Sequence, residues 1–239
     1  MKGMRSILRR ALVVLLLGFL PKSAAAGEPR MFLTWHAPYG LPGASDSLTR
    51  LPGDTTAVDT LYLSFDPGRS SSTYIGMTAS VDFRGTNPRA LGDSLSPAWN
   101  PAAGSTPPRL MKVEFPLDPP AACPFPWQGS GFSIIGYKRS PHTGQLRLVY
   151  AMPQDAAAVV DSGRVYTFAR LVLRRPAVAA WGRQALCIEW ARGSFAYSAG
   201  DEPTFDHGGH RFVSVNSPGG EICGPWREPE APSSKPAGP

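Results

Sequence analysis

The sequence has few histidines and cysteines, and it lacks the short motifs of several enzyme classes. It contains four histidines and three cysteines in 239 residues. A G-x-S-x-G nucleophile elbow, an H-E-x-x-H zinc motif, a phosphate-binding P-loop and an EF-hand loop are all missing from it. The sequence therefore gives no support for enzymes or calcium sites of these kinds, and we expect no catalytic residue, no metal and no cofactor.

Long hydrophobic runs are also missing, apart from residues 11–20, "ALVVLLLGFL". This run has about half the length needed to span a bilayer. Basic residues precede it and the small residues "AAA" follow at 24–26, which is the pattern of a secretory signal peptide. We expect residues 1–26 to be a signal peptide and the chain to be secreted, periplasmic or at the surface of a bacterium, with no stable membrane span after cleavage. A membrane anchor is the alternative.

The excess of positive charge disappears once the predicted signal peptide is removed. The chain has 24 Lys and Arg and 18 Asp and Glu, and five of the bases but none of the acids lie in residues 1–26. The remaining residues carry a formal charge of +1. Binding to nucleic acid requires a dense basic surface, so nucleic acid is not expected as a partner.

Helical periodicity is not found after residue 26, whereas the period-two alternation typical of strands recurs. It is clearest at 74–84, where apolar residues alternate with small or polar ones. Strands are predicted at 30–36, 60–65, 74–84, 110–115, 132–138, 146–150, 164–175, 185–190, 194–198 and 211–216, and one short helical turn at 153–163. We predict an all-β fold with nine or ten strands, a two-sheet antiparallel β-sandwich of jelly-roll or Ig-like type, with a barrel as the alternative. The sandwich is expected to be a single domain over 27–226, followed by a disordered tail at 227–239.

The stretch "FDHGGHRF" at 205–212 combines a turn signal with a pair of histidines. Gly208-Gly209 predicts a two-residue hairpin turn, because glycine accepts the positive φ that such a turn requires. A hairpin centred there would place His207 opposite His210. The pair could share a metal or act in catalysis, but a zinc site needs further ligands that the spacing does not supply. We favour the hairpin and expect no metal.

The three cysteines are Cys123, Cys187 and Cys223. Disulfides are expected in an exported protein, and an odd number leaves one thiol over. Cys187 and Cys223 flank the predicted hairpin, so we expect a bridge between them. Cys123 lies in a proline-rich loop with no base nearby in sequence, and we expect a free, buried thiol rather than a nucleophile.

Two tryptophans and three acids are the remaining candidate site residues. Trp99 and Trp127 lie in turn-rich segments, where an aromatic ring can contact a glycan or a protein partner, or can plug the end of the core. We name both as candidate binding residues. Asp82, Glu114 and Glu189 lie at outward strand positions, where a solvated acid is the ordinary explanation, although carboxylates can pair in space for glycoside hydrolysis.

Three segments together resemble the cohesin group of secreted bacterial β-sandwiches, which are related in fold to carbohydrate-binding modules. These segments are "DTLYLSFDPG" (59–68), "GMTASVDFRG" (76–85) and "GRVYTFARLVLRR" (163–175). The resemblance covers roughly residues 55–190, and it includes Val81-Asp82-Phe83 in an early strand and a late strand that begins near Gly163. It implies a non-catalytic module that binds a partner through a flat sheet face, as cohesins bind dockerins.

The sequence thus predicts a secreted, non-catalytic binding or scaffolding module that recognises a surface protein or a glycan. Two alternatives remain. One is a secreted hydrolase that uses strand carboxylates or the His207 and His210 pair. The other is a structural component of the cell envelope.

Overall fold

The computed structural model describes residues 27–48, 58–85, 111–116, 118–129, 131–139, 143–174, 185–216 and 223. The predicted signal peptide, the predicted tail and Trp99 lie outside these residues. The strands are β1 (Arg30–Trp35), β2 (Ser47–Leu48), β3 (Val58–Asp66), β4 (Ser71–Gly85), β5 (Met111–Glu114), β6 (Phe132–Arg139), β7 (Thr143–Ala151), β8 (Ala158–Val160), β9 (Tyr166–Arg174), β10 (Leu186–Tyr197), β11 (Thr204–Phe205) and β12 (Phe212–Val215). A 3-10 turn at Gln154–Ala156 occupies part of the segment predicted to hold a helical turn. Nowhere in the described ranges is there a helix long and apolar enough to cross a membrane.

The strands form the two packed sheets of a β-sandwich, which confirms the predicted fold class and excludes the barrel. The small sheet has the order β1-β3-β9-β5, and the large sheet has the order β2-β12-β10-β4-β7-β6, with β11 added to β10 and β8 added to β4. All pairings are antiparallel except the short parallel pair of β12 and β2. Twelve strands are described rather than nine or ten, because three strands of two or three residues are too short to show a periodicity.

The core lies between the sheets and consists of the inward residues of the alternating strands. In β4, Met77, Ala79, Val81 and Phe83 are each exposed by 3% or less. Residues between them, such as Thr78, face solvent. Each large apolar side chain buried in this way contributes about 2 kcal/mol relative to leaving it in water. The alternation seen in the sequence therefore reflects which side chains of β4 pack into the core.

Strand β10 is continuous, although the sequence predicts two strands at 185–190 and 194–198. A β-bulge lies between Trp190 and Arg192. The extra residue shifts the alternation, so that Trp190 before the bulge and Phe195 after it both face the core. In the sequence, this shift in the alternation of inward and outward residues resembles the end of one strand and the start of another. In the structure, both halves belong to one strand of the large sheet.

The predicted bridge between Cys187 and Cys223 is present, and its Cα atoms lie 5.3 Å apart. It joins β10 to the segment that follows β12. Cys123 is free and buried, as expected.

Candidate functional site

The stretch at 205–212 does not form the predicted hairpin. Phe205 pairs with Gly193 and Phe212 pairs with Glu189, and both partners belong to β10. Strands β11 and β12 therefore run in the same direction along one strand instead of pairing with each other. Residues 206–211, here called the crossing segment, leave the large sheet between these two pairings. The hairpin prediction is wrong because the flanking residues have a partner elsewhere in the chain, which a local pattern does not show.

The crossing segment lies against the edge of the small sheet. Gly208 and Gly209 have φ angles of 83° and 74°, so the positive φ predicted for both is present. The Leu33 amide donates to the carbonyl of His210 at 2.7 Å, and the Met31 amide donates to the carbonyl of Gly208 at 3.5 Å. These contacts cover the outer edge of β1, whose amides would otherwise be open to pairing with another chain.

The two histidines of the crossing segment face different carboxylates. His207 Nδ1 lies 3.0 Å from Asp206 Oδ1, and its Nε2 lies 3.6 Å from Glu28, whereas His210 Nε2 lies 3.8 Å from Asp46. The hydrogen bond with Asp206 raises the pKa of His207, and the Glu28 carboxylate adds to this effect. No group of three or more His, Cys, Asp or Glu side chains placed to hold a metal occurs in the described part of the chain. The two histidines thus lie against separate exposed carboxylates.

Trp127 is buried in the core and does not offer its ring to a ligand. Its side chain is 2% exposed, and its Nε1 donates to the carbonyl of Tyr74 at 3.3 Å. The ring packs 4.8 Å from Tyr74 and 5.1 Å from Tyr150 between ring centroids. Of the two interpretations of this residue, the structure supports the core plug, and the expectation of a ligand contact at Trp127 is corrected accordingly. Trp99 lies outside the described residues and stays a prediction.

The buried thiol of Cys123 is also structural. Thr167 Oγ1 donates to the Cys123 carbonyl at 2.8 Å and lies 3.3 Å from its Sγ. Burial raises the pKa of this thiol, which is the opposite of what a nucleophilic cysteine requires.

The solvent side of β6, β7, β4 and β10, four neighbouring strands of the large sheet, is here called the outer face. Its centre is made of small side chains: Thr78 and Ser80 in β4, Ser194 in β10 and Gly136 in β6. The Thr78 and Ser194 hydroxyls lie 2.6 Å apart. These small residues alternate across the sheet with longer side chains, since Arg147 and Arg192 lie on either side of Ser80.

The two carboxylates on these strands are held in ion pairs. Glu189, whose side chain is 8% exposed, is bound by Arg84 and, at 3.2 Å, by Arg211. Asp82 accepts a hydrogen bond of 3.0 Å from Gln145 Nε2 and lies 3.7 Å from Arg84. Carboxylates held by arginine on an open sheet are typical of structural ion pairs rather than of a hydrolytic pair that converges on a cleft.

Two apolar side chains on β6 extend the outer face to the edge of the sheet. Phe132 is 64% exposed and Ile134 is 50% exposed, and Ile134 pairs with the half-buried Val149 of β7. Sequence reasoning missed these residues. The available clue is that "FSIIGYK" has apolar residues on both strand faces, since Ile135 and Tyr137 pack against the core. Solvent-exposed apolar groups next to a polar surface are typical of interaction sites.

Comparison with known proteins finds similarity at the level of solved structures. No protein-family model matches the sequence, and no curated protein matches it. The second type II cohesin module of the ScaA scaffoldin of Acetivibrio cellulolyticus matches with a TM-score of 0.38 and 7% identity, over 79% of this chain and 96% of that chain. A cohesin module from a Clostridium perfringens family 33 glycoside hydrolase matches with a TM-score of 0.34 and 10% identity, over 79% and 98%. The major pilin subunit BcpA of Bacillus cereus matches with a TM-score of 0.33 and 7% identity, over 79% and 40%.

Cohesin modules are thus among the matching structures, in agreement with the resemblance seen in the sequence. At TM-scores below 0.5 we base no functional statement on these similarities, and we take the function from the geometry of the outer face.

Proposed function

We propose that this chain is a secreted, non-catalytic binding module that recognises another surface protein through the outer face. The observation that carries the proposal is the exposed apolar pair of Phe132 and Ile134 on a sheet face that also carries polar residues such as Thr78 and Ser194. Protein interfaces combine an apolar area that becomes buried with a surrounding polar area, and the outer face contains both.

The disulfide and the predicted signal peptide support secretion. The bridge between Cys187 and Cys223 is of the kind that persists in oxidising compartments. The sequence resemblance to cohesins, which bind dockerins through a flat sheet face, supports a protein-binding role. A hydrolase is less well supported, because Asp82 and Glu189 are engaged by Arg84.

Site-specific photo-crosslinking tests the proposal. A benzophenone amino acid is placed at Thr78 on the outer face or at Val58, which is 51% exposed on the small sheet and serves as the matched control. After irradiation of the chain at the surface of the bacterium that produces it, mass spectrometry identifies the adducts. We expect one recurrent protein adduct at Thr78 and none at Val58. Equal labelling at the two positions, or labelling at neither, would contradict the proposal.

A glycan array with the same chain examines the other ligand class. The chain could bind a glycan, lose this binding in Thr78→Arg and give no protein adduct in the crosslinking experiment. That result would retain the outer face as the binding surface but identify its ligand as a glycan instead of a protein.

A further inference from the structure

The outer face carries exposed positive charge. Lys138, Arg147 and Arg192 are all exposed and lie on β6, β7 and β10. Within the described residues these three side chains make no hydrogen bond or ion pair, although Arg192 lies near enough to the Asp206 carboxylate for their charges to interact. By contrast, Asp82 and Glu189, the carboxylates of the same strands, are already occupied by neighbouring side chains. The outer face therefore has a positive excess, although the chain after residue 26 has a formal charge of only +1.

The register places these cations in a defined pattern. Arg192 and Arg147 lie opposite Ser80, one on each side of β4. Their backbones are two strand spacings apart, about 10 Å. Lys138 pairs with Gln145, two positions along β7 from Arg147. The residue between the two arginines in this register is Ser80, whose side chain is small.

The apolar residues adjoin this pattern on one side. Ile134 is two positions from Gly136, which pairs with Arg147, and Val149 is two positions from Arg147 on β7. A ligand that contacts Arg147 therefore also lies beside the apolar side chains of Ile134 and Val149. An acidic polysaccharide has carboxylates but no apolar side chains to bury there, whereas a protein segment can supply both.

We propose that the outer face binds an acidic protein segment, with at least two carboxylates about 10 Å apart that meet Arg147 and Arg192 and an apolar side chain that packs on Ile134. This inference rests on the proposed function and names the chemistry of the partner. Arginine binds carboxylates through two parallel hydrogen bonds, which favours acidic ligands at Arg147 and Arg192.

Selection from a random peptide library displayed on phage tests the inference without knowledge of the natural partner. The purified chain and four variants are used as bait. Arg147→Ser/Arg192→Ser removes the cations, and Lys112→Ser/Arg164→Ser is the control, with the same loss of charge away from the outer face. Ile134→Ser removes the apolar contact, and Val58→Ser is its control, because both residues are about half exposed. Circular dichroism verifies that each variant is folded.

We expect the unmodified chain to enrich peptides that contain two or more acids and an apolar residue. A representative synthetic peptide should bind about tenfold more weakly to Arg147→Ser/Arg192→Ser, and within about twofold of the unmodified chain to the charge control. Binding should weaken as sodium chloride is raised, since the contacts are exposed. A further variant, Arg147→Glu/Arg192→Glu, should instead enrich basic peptides.

Three results would overturn the inference, and they separate it from the proposed function. Enriched peptides that are not acidic, but whose binding is lost in Thr78→Arg, would refute the acidic chemistry and leave the binding face in place. Absence of any peptide whose binding depends on the outer face would count against both. Binding of polygalacturonate that requires the two arginines, with no acidic peptide enriched, would assign the surface to a polysaccharide instead.

Discussion

Replacement of Gly209 by alanine is the most direct test of how the crossing segment joins the two sheets. An ideal Cβ on Gly209 would lie 2.1 Å from the Met31 carbonyl oxygen and 2.8 Å from the Met31 amide nitrogen. Both are backbone atoms of β1, which is paired with β3 on its other side and has little freedom to move. The positive φ of 74° costs about 1–2 kcal/mol for a residue with a Cβ. Displacement of the packed backbone adds about 1–3 kcal/mol.

Gly200 provides the matched control, because its φ is also positive, at 83°, and no atom lies within 4 Å of its added Cβ. Gly200→Ala therefore measures the backbone strain alone. For a chain of this size each kcal/mol corresponds to about 2–4 °C in melting temperature. We expect Gly200→Ala to lower the melting temperature by about 4 °C and Gly209→Ala by about 10 °C, measured by circular dichroism and repeated in urea. Equal losses for the two variants would show that the crossing segment does not rest on β1 as described.

Four further predictions concern the cysteines, one ion pair and the N-terminus. Replacement of both Cys187 and Cys223 by alanine should lower the free energy of unfolding by up to about 4 kcal/mol, because the bridge spans 36 positions; an unchanged urea midpoint would contradict this. Cys123 should react with a maleimide in urea but not in the native protein, since its thiol is buried; rapid native labelling would show that it is accessible. The pKa of Glu114 is lowered by hydrogen bonds to a lysine and an arginine, so its contribution to stability is full above the pKa of the unfolded state and is lost as the pH falls through the lower pKa of the folded state. Glu114→Gln should therefore destabilise the protein more at neutral pH than in acid, and melting curves that differ by the same amount at both would refute it. Intact-mass measurement of exported protein should show a chain that begins after Ala26, and retention of the earlier residues would exclude cleavage there.

The β-sandwich could be predicted from the sequence because its core residues alternate with solvent-facing residues along strands such as β4. Met77, Val81 and Phe83 recur with period two, and each is buried against the opposite sheet. The compartment and the number of cysteines predict a bridge, and the pairing of Cys187 with Cys223 is predicted because they flank the stretch at 205–212; the pairing is present although that stretch forms no hairpin.

The course of the crossing segment could not be predicted, since it depends on which strand lies beside it. Gly208 and Gly209 have the backbone conformation that the turn signal predicts. The residues on either side pair with β10 because that strand offers two stretches of edge, one before its bulge for β12 and one after it for β11. For the same reason the sequence does not show that Phe132 is exposed, because only the order of strands places β6 at the end of the large sheet.

The contact of the first strand with the last has a consequence for the order of folding. Trp35 Nε1 donates to the Ser214 carbonyl across 179 positions of sequence, and the short strand β2 pairs in parallel with β12. These long-range contacts can form only when nearly the whole described chain is available, so we expect the closure of the sandwich to be a late and slow step of folding. While the C-terminal part of the chain is still being synthesised, Trp35 and β2 therefore lack the partners that β12 supplies.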